Sequence, residues 1–430
     1  MSIIVLLVGG FIVKIMSFII KILFTREIGE EGLSLYTIAI PTYSLLVALA
    51  IFALPTSISK LVSEQRYLGK QVLITSFFLI LILQGILVTS FYQLSPLIAE
   101  HLLKQKKLTI ILKAMILTLP FISLSSIFKG YFLGKMKVMP NTLSNIIEQT
   151  IRIIFLLDFL PPLVQKDKML GLISFILLSI LTEIISCLVF CIFLPKKISF
   201  QNLDFHPKKK IIKELLDISI PCVSSRFIGN IGFFLEPIII TNLLLKSGYS
   251  SPYILKEYAS YNAYALGLLT MPSFFITAID QILIPEISKH FAQKNLSIVK
   301  KRLKQALFYS LIIGVSSSLT ILFFKKHLLH ILYNTTSGGN YINFLAPFFV
   351  LFYLEAPLIS TMQAIGLAKT SFKISFLAMI LKLIVLTLLC TCHIGLYALV
   401  IAEIINIIFV VYHNYQNLEK HLNLKTLDKE

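Results

Sequence analysis

Two segments, Leu54-Pro55-Thr56-Ser57-Ile58-Ser59-Lys60 and Ile284-Pro285-Glu286-Ile287-Ser288-Lys289, repeat one pattern 230 positions apart. Other matches at nearly the same offset are Ile40-Pro41-Thr42 with Met271-Pro272-Ser273, Gly134 with Gly366, and Ile151-Arg152-Ile153 with Leu381-Lys382-Leu383. Near the end of each half, Leu181-Thr182-Glu183-Ile184-Ile185 matches Ile401-Ala402-Glu403-Ile404-Ile405. Matches at offsets of 229 to 232, with one of 220 near the end of each half, indicate an internal repeat, and two like halves are typical of membrane transporters.

The composition predicts an α-helical membrane protein. Of the 430 residues, 57% are hydrophobic and only 14% are charged, whereas soluble proteins carry about 25% charged residues. Unbroken apolar runs such as 72–92 and 169–194 exclude a β-barrel, in which apolar and polar residues alternate. We predict twelve spans, at 3–24, 34–58, 71–95, 108–133, 140–163, 169–194, 214–245, 258–285, 304–324, 341–365, 371–391 and 394–415.

The basic residues indicate how these spans are oriented. If the N-terminus is cytoplasmic, the connections on that side carry 23 Lys and Arg and the others carry 10. This bias follows the positive-inside rule and predicts that the N- and C-termini are both cytoplasmic. Because the net charge of +18 lies in short clusters between apolar segments, it does not indicate nucleic-acid binding.

The basic connection 195–213 is the longest and predicts a division into two lobes. We expect an N-terminal lobe of six helices over 1–200, then the linker and a C-terminal lobe of six helices over 201–430. Each lobe begins and ends on the same side, so the repeats should run parallel around a central cavity. The chain carries no nucleotide-binding loop, hydrolase motif or cysteine set at zinc spacing, so we expect a transporter without cofactor, metal site or catalytic residues.

Basic residues inside the first span are candidates for substrate binding. Lys14, Ser17 and Lys21 are spaced three and four apart and form one stripe on a helix, with Arg26 at its outer end. A charge at membrane depth is costly, so Lys14 and Lys21 are expected to face a cavity. Such a stripe suits an anionic group such as a pyrophosphate. Arg226, in the seventh span, is a further candidate for the same role.

Other charges within spans are candidates for gating or ion coupling. Glu148 and Arg152 are four apart, with the acid first, which favours a helical ion pair. Lys382 matches Arg152 in the repeat but has no acid four residues earlier, so we expect it to be the less neutralised of the two. The remaining candidates are Glu236 and Asp280. Glu355 is likewise unpaired in the sequence, and for Glu183 and Glu403 we expect a packing or interface role.

Prolines recur at equivalent places in the two halves. Pro41 matches Pro272, and Pro55 matches Pro285. Proline in a membrane helix bends it and frees a carbonyl group, so these four positions are predicted to be helix bends suited to a rocking motion.

The segment 13–36 resembles the opening of the stage V sporulation protein B family. In that family basic residues stand at the positions of Lys14, Lys21 and Arg26, followed by an IGxEGxGLY-like turn. The segment 53–64 resembles the family's GIPxAISKLVxE motif, with Ala53 in place of its glycine. Gly134 and the run at 140–152 fit its region between the fourth and fifth helices, and Ser17 and Ser34 stand where glycine is usual.

This resemblance implies membership of the multidrug/oligosaccharidyl-lipid/polysaccharide exporter superfamily. It implies a flippase for an undecaprenyl-pyrophosphate-linked oligosaccharide, such as lipid II or a spore-cortex precursor, in the cytoplasmic membrane of a bacterium. The first-helix basic residues would meet the pyrophosphate, and a coupling ion, H⁺ or Na⁺, would be a further partner. The alternatives are a drug/cation antiporter, which needs an acidic cavity, a membrane-embedded glycosyltransferase, which needs a large outer loop, and a non-transporting scaffold for cell-wall synthesis.

Overall fold

A computed structural model describes residues 2–194 and 208–422. The predicted linker 195–213 lies outside the described residues up to position 207. The chain divides into two compact units, one on each side of Ile238. The expected lobes over 1–200 and 201–430 remain a prediction.

Among its described residues, the first unit contains seven helices and the start of an eighth, which runs across Ile238. They are α1 (Ser2–Ile51), α2 (Leu54–Ser63), α3 (Gly69–Pro96), α4 (Leu108–Gly134), α5 (Met139–Ile154), α6 (Leu160–Lys166), α7 (Lys168–Phe193) and α8 (Lys209–Lys246). The second unit contains α9 (Ser251–Ala259), α10 (Leu266–Leu269), α11 (Ser273–Ala292), α12 (Leu296–Tyr333), α13 (Gly339–Ala364), α14 (Ala368–Cys390) and α15 (Tyr397–Leu422). Short π-helical segments lie at Leu97–Leu102, Phe155–Phe159 and Ser260–Ala265.

All twelve predicted spans fall on helices. Within the described ranges, nine helices are long and apolar enough to cross a membrane, and the bent pair Ser251–Leu269 and Ser273–Ala292 makes a tenth. The other two predicted spans are 34–58, which lies on the second part of α1 and on α2, and 140–163, which lies on α5 and α6. The protein is therefore an all-α polytopic membrane protein.

The first two predicted spans are joined by a single helix with a kink, where the sequence predicts a connection. Only Gly29 has a non-helical backbone conformation within α1, with φ 70° and ψ 176°. This region of backbone space is accessible almost only to glycine. The flanking Glu27, Glu30 and Leu33 are good helix formers, which explains why the helix resumes at once.

The repeated motif forms the core of each unit. In the first unit, Ile58 is fully buried among α2, α3, α4 and α7, with Leu61 and Phe132. In the second, its counterpart Ile287 is fully buried among α11, α12, α13 and α15. Matching serines of the motif contact matching helices in the two units. The Ser59 carbonyl of α2 packs against Gly134 of α4, and Ser288 Oγ of α11 donates to Ala364 O of α13 at 3.3 Å.

The prolines mark breaks at different points in the two halves. Pro55 lies in the first turn of α2, after Phe52 and Ala53, which both have positive φ. Pro272 directly precedes α11 and lies at the 54° bend between Ser251–Leu269 and α11. Pro41 and Pro285 lie inside α1 and α11. The left-handed conformation of Ala53 costs about 1 kcal/mol for a residue with a side chain, a cost that glycine would avoid.

Candidate functional site

The basic stripe lies on the first half of α1, as the spacing predicts. Lys14 and Ser17 are exposed and Lys21 is partly exposed. At 1.5 Å per residue, the two lysines are about 10 Å apart along the helix axis. Ser17 Oγ donates to Val13 O at 2.8 Å, so the hydroxyl is hydrogen-bonded to the backbone of its own helix. The stripe therefore presents two ammonium groups on a membrane-embedded face of the first unit.

The two other candidate basic residues for substrate binding also lie in the first unit. Arg26 is exposed one turn before the Gly29 kink. Arg226 is exposed on α8, where Asn230 Nδ2 donates to its carbonyl oxygen at 2.8 Å. Their role at the substrate remains a prediction.

A partly buried polar network joins α5 and α7 in the first unit. The predicted ion pair forms, because Arg152 Nη2 lies 3.1 Å from Glu148 Oε1. The same guanidinium nitrogen lies 3.3 Å from both Ser179 Oγ and Thr182 Oγ1. The arginine on α5 is thus tied to α7 as well as to its own helix. A gating role for the Glu148–Arg152 pair remains a prediction.

Next to this network, Glu183 of α7 lies close to a lysine of α4. Lys129 Nζ is 3.9 Å from Glu183 Oε2, and the carboxylate is buried. The two acids and two cations Lys129, Glu148, Arg152 and Glu183 balance in charge. Such a balance lowers the cost of holding charges within the membrane.

The expectation that Lys382 is poorly neutralised is wrong. Lys382 Nζ of α14 lies 2.6 Å from Glu403 Oε2 of α15, and both side chains are largely buried. The partner stands on the neighbouring helix, so a search for an acid four residues earlier could not find it. Glu403 matches Glu183 in the repeat, and Lys382 matches Arg152. Each unit therefore carries a basic residue on one helix and an acid on the next long helix, and these residues occupy matching positions of the repeat.

A cavity in the second unit brings together two acids that are 75 residues apart in the sequence. It has a volume of about 340 Å³, and α11 and α13 form its walls. Its lining is Ser273, Ile276, Thr277, Asp280, Phe352, Tyr353, Glu355, Ala356, Ile359 and Ser360. None of these ten lining residues, all within the described ranges, is basic.

Asp280 is the better placed of the two acids to receive a ligand. Its Oδ1 is buried and accepts no hydrogen bond within the described part of the chain. Hydroxyl groups of Ser273, Thr277 and Ser360 line the same cavity. A lining of carboxylate and hydroxyl oxygens with no basic residue among the ten suits H⁺ or a hard cation such as Na⁺. Glu355 completes this set, and only the structure shows that it shares a cavity with Asp280.

Glu236, the remaining candidate for ion coupling, is buried on α8. It follows the exposed, polar part of that helix around Arg226 and stands one residue before Pro237. Its role remains a prediction.

Comparisons with known proteins cover the whole chain. A family model described as polysaccharide biosynthesis protein matches residues 1–291, and a second model with the same description matches residues 261–428. Stage V sporulation protein B of Bacillus subtilis is 30% identical over 99% of this chain and 84% of its own. Lipid II flippase MurJ of the same organism is 22% identical over 88% of this chain and 75% of its own.

Solved structures share the fold. An inward-facing multidrug resistance MATE family transporter of the MOP superfamily aligns with a TM-score of 0.78 at 15% identity, covering 96% of both chains. Lipid II flippase MurJ in an inward closed conformation aligns with a TM-score of 0.69 at 15% identity, covering 95% of this chain and 87% of the other. The resemblance to stage V sporulation protein B that the N-terminal motifs predict is confirmed, and it extends well beyond the first 150 residues.

Proposed function

Since this chain belongs to the polysaccharide biosynthesis protein family of membrane flippases and exporters, we propose that its substrate is an undecaprenyl-pyrophosphate-linked oligosaccharide. Lipid II or a related cell-wall or spore-cortex precursor fits this class. Transport takes place by alternating access across the cytoplasmic membrane of a bacterium, with both termini cytoplasmic. Stage V sporulation protein B and lipid II flippase MurJ are the relatives that support this choice of substrate.

The observation that carries the proposal is the basic stripe on α1. Lys14 and Lys21 stand on one face of a membrane-embedded helix, where an unpaired charge costs about 2.5 to 3.5 kcal/mol on the insertion scale. A diphosphate group brings the negative charge and acceptor oxygens that two ammonium groups at this spacing bind well. Arg26 and Arg226 are proposed as further contacts of the same anionic group.

Replacing Lys14 and Lys21 with alanine is expected to lower flipping at least about tenfold, because each charged hydrogen bond contributes about 1.5 to 3 kcal/mol. The measurement is the exposure of lipid II on the outer leaflet in cells depleted of their own flippase and supplied with this chain. Lys14→Arg/Lys21→Arg keeps the charge and should retain most activity. Lys369→Ala/Lys373→Ala removes two exposed lysines elsewhere and should have little effect.

Full activity of the alanine variant would exclude the stripe from the substrate path while leaving the flippase function intact. Failure of the wild-type chain to restore exposure, despite correct insertion, would contradict lipid II as the substrate. Testing other lipid-linked glycans in the same cells would then decide whether the substrate class or only its glycan is wrong.

We also propose that Asp280 and Glu355 bind the coupling ion, H⁺ or Na⁺. Both acids line one cavity within the second unit, and the Asp280 carboxylate has an oxygen without a hydrogen-bond donor. Binding of a cation there would remove net negative charge from the membrane interior. It would therefore favour whichever conformation buries the cavity more deeply.

Asp280→Asn and Glu355→Gln are each expected to slow transport at least about tenfold, a change of about 1.4 kcal/mol in the barrier. They should also weaken its dependence on the imposed Na⁺ or H⁺ gradient. The assay is movement of lipid II between the two leaflets of vesicles that contain the purified protein, with each gradient varied separately. Glu286→Gln is the matched control, because Glu286 lies on the same helix and pairs with Arg302 at 2.7 Å. Unchanged gradient dependence in both cavity variants would rule out the site.

The same acidic cavity favours one alternative function, that of a drug/cation antiporter. Two carboxylates beside the Phe352 and Tyr353 rings provide groups that attract an organic cation. Efflux of ethidium from cells is the discriminating measurement. Efflux that requires Asp280, without restored lipid II exposure, would favour the antiporter over the flippase.

A further inference from the structure

A second cavity in the C-terminal unit is an open apolar groove that the proposed function does not use. Three helices, α12, α13 and α15, form its walls, and its volume is about 440 Å³. The lining consists of aliphatic and aromatic side chains, namely Leu307, Phe308, Leu311, Leu351, Leu354, Leu358, Ile408, Val411, Tyr412 and Tyr415. A groove with this lining matches a hydrocarbon chain and offers nothing to a sugar or an ion.

One end of the groove changes from apolar to polar within a single helix turn. Tyr412 and Tyr415 of α15 are partly exposed, and Gln416 Nε2 donates to Tyr412 Oη at 2.5 Å. Tyrosine is enriched where hydrocarbon meets the headgroups. These residues lie in the last three turns before α15 ends at Leu422. This end of the groove is therefore at headgroup depth.

The same end carries a concentration of positive charge on α12. Lys304 precedes Phe308 by one turn and is exposed, and Lys300 lies a further turn back. Spacing of four places Lys300, Lys304 and Phe308 on one face of the helix, continuous with the groove wall. Lys301 is also exposed there. The acids near this end are Glu419, which follows Tyr415 by one turn on α15, and Glu286, which pairs with Arg302 of α12. Positive charge exceeds negative charge at this end.

We propose that the groove binds one hydrocarbon chain of an anionic bilayer phospholipid, with its phosphate at the basic end of α12. The apolar wall selects a chain, and the lysines select a negatively charged headgroup. The site belongs to the second unit alone and is separate from the stripe on α1. It does not rest on the proposed flippase function, because it concerns a bilayer lipid rather than the transported one.

The test uses the full chain in nanodiscs of phosphatidylcholine. A small fraction of phosphatidylglycerol with a photoreactive diazirine chain is added, and phosphatidylcholine with the same chain is the comparison probe. Crosslinked peptides are then mapped by mass spectrometry. Peptides covering 351–358 and 408–415 should take up the anionic probe at least about fivefold more than the neutral one, as expected for one lysine beside an anionic headgroup.

Two variants test the contributions of the groove and of its basic end independently. Leu354→Trp fills the groove and should remove labelling there by both probes, whereas Leu377→Trp, exposed on α14, should not. Lys300→Gln/Lys304→Gln should bring labelling by the two probes to the same level while the groove stays accessible. Lys325→Gln/Lys326→Gln, at the other end of α12, is the matched control and should keep the preference.

Equal labelling of the wild-type groove by both probes would overturn the proposal, since the groove would then hold neutral lipid equally well. Undiminished labelling in a folded Leu354→Trp variant would also overturn it. So would displacement of the phosphatidylglycerol probe by undecaprenyl phosphate at a much lower mole fraction, because the occupant would then be the isoprenoid carrier. Lys304 is exposed and Lys300 is partly exposed, so the lysine variant tests the headgroup even if the tryptophan variant does not fold.

Discussion

Replacing Gly130 and Gly134 together with alanine is expected to prevent accumulation of folded protein. A Cβ atom at Gly130 would lie 2.6 Å from Pro55 Cα, and one at Gly134 would lie 2.6 Å from Ser59 O. Both contacts are with the backbone of α2, so no change of side-chain rotamer relieves them. Overpacking costs about 1 to 3 kcal/mol at each site, or about 2 to 6 kcal/mol for the pair.

The spacing of the two glycines explains the size of the effect. Residues four apart lie on one face of α4, and small residues at this spacing let two membrane helices approach closely. Because α2 carries the repeated motif and the core residue Ile58, displacing it disturbs the core of the whole first unit.

The measurement is the yield of monodisperse protein on size-exclusion chromatography in detergent, together with its thermal midpoint. Gly85→Ala is the matched control, because Gly85 lies inside α3 with no atom near the added methyl group. That control should be neutral or slightly stabilising, since alanine favours helix by about 1 kcal/mol over glycine. Wild-type yield and midpoint for the double alanine variant would show that α2 and α4 do not pack as described.

The second large effect is expected at the Lys382–Glu403 ion pair. Lys382→Met leaves the Glu403 carboxylate buried without its cation, at a cost of about 3 to 5 kcal/mol. Glu403→Gln leaves the ammonium group in the same position and should cost a similar amount. The double variant Lys382→Met/Glu403→Gln removes both charges and should lose about 2 kcal/mol less than the two single variants added together.

A double-mutant cycle of thermal or chemical unfolding in detergent measures this coupling, which we expect to be about 2 kcal/mol. The same cycle on Lys129 and Glu183 should give a smaller coupling, because their charged atoms are 3.9 Å apart rather than 2.6 Å. Simple addition of the single-variant effects at Lys382 and Glu403 would mean that the pair contributes nothing to stability.

How far the sequence predicts this molecule depends on the distance between the residues concerned. The Glu148–Arg152 pair is local to one helix and follows from spacing alone. The Lys382–Glu403 pair joins two helices, and no rule of spacing connects positions that are 21 residues apart. Asp280 and Glu355 are both conspicuous as acids within spans, but only packing of α11 against α13 shows that they share a cavity.

The helices themselves were predictable because apolar runs and a repeat are properties of the chain. The apolar runs do not determine the backbone conformation of the connections between the helices. The first connection is a kink at one residue, Gly29, because the residues around it favour helix. The breaks around Ala53 and Pro272 fall at different points of the repeated motif, since the two halves differ there in sequence.

The Lys382–Glu403 pair has a consequence for how the chain enters the membrane as it is made. Only residues 391–396 separate α14 from α15, so the two helices can enter lipid as a hairpin in which the charges already neutralise each other. Lys129 differs in this respect, because α5 and α6 are synthesised before α7, the helix that carries its partner Glu183. Its place near the end of α4 lets its long side chain reach the headgroups in the meantime. The C-terminal half thus supplies the partner of its buried lysine on the next helix, whereas the N-terminal half inserts a charge whose partner is synthesised three helices later.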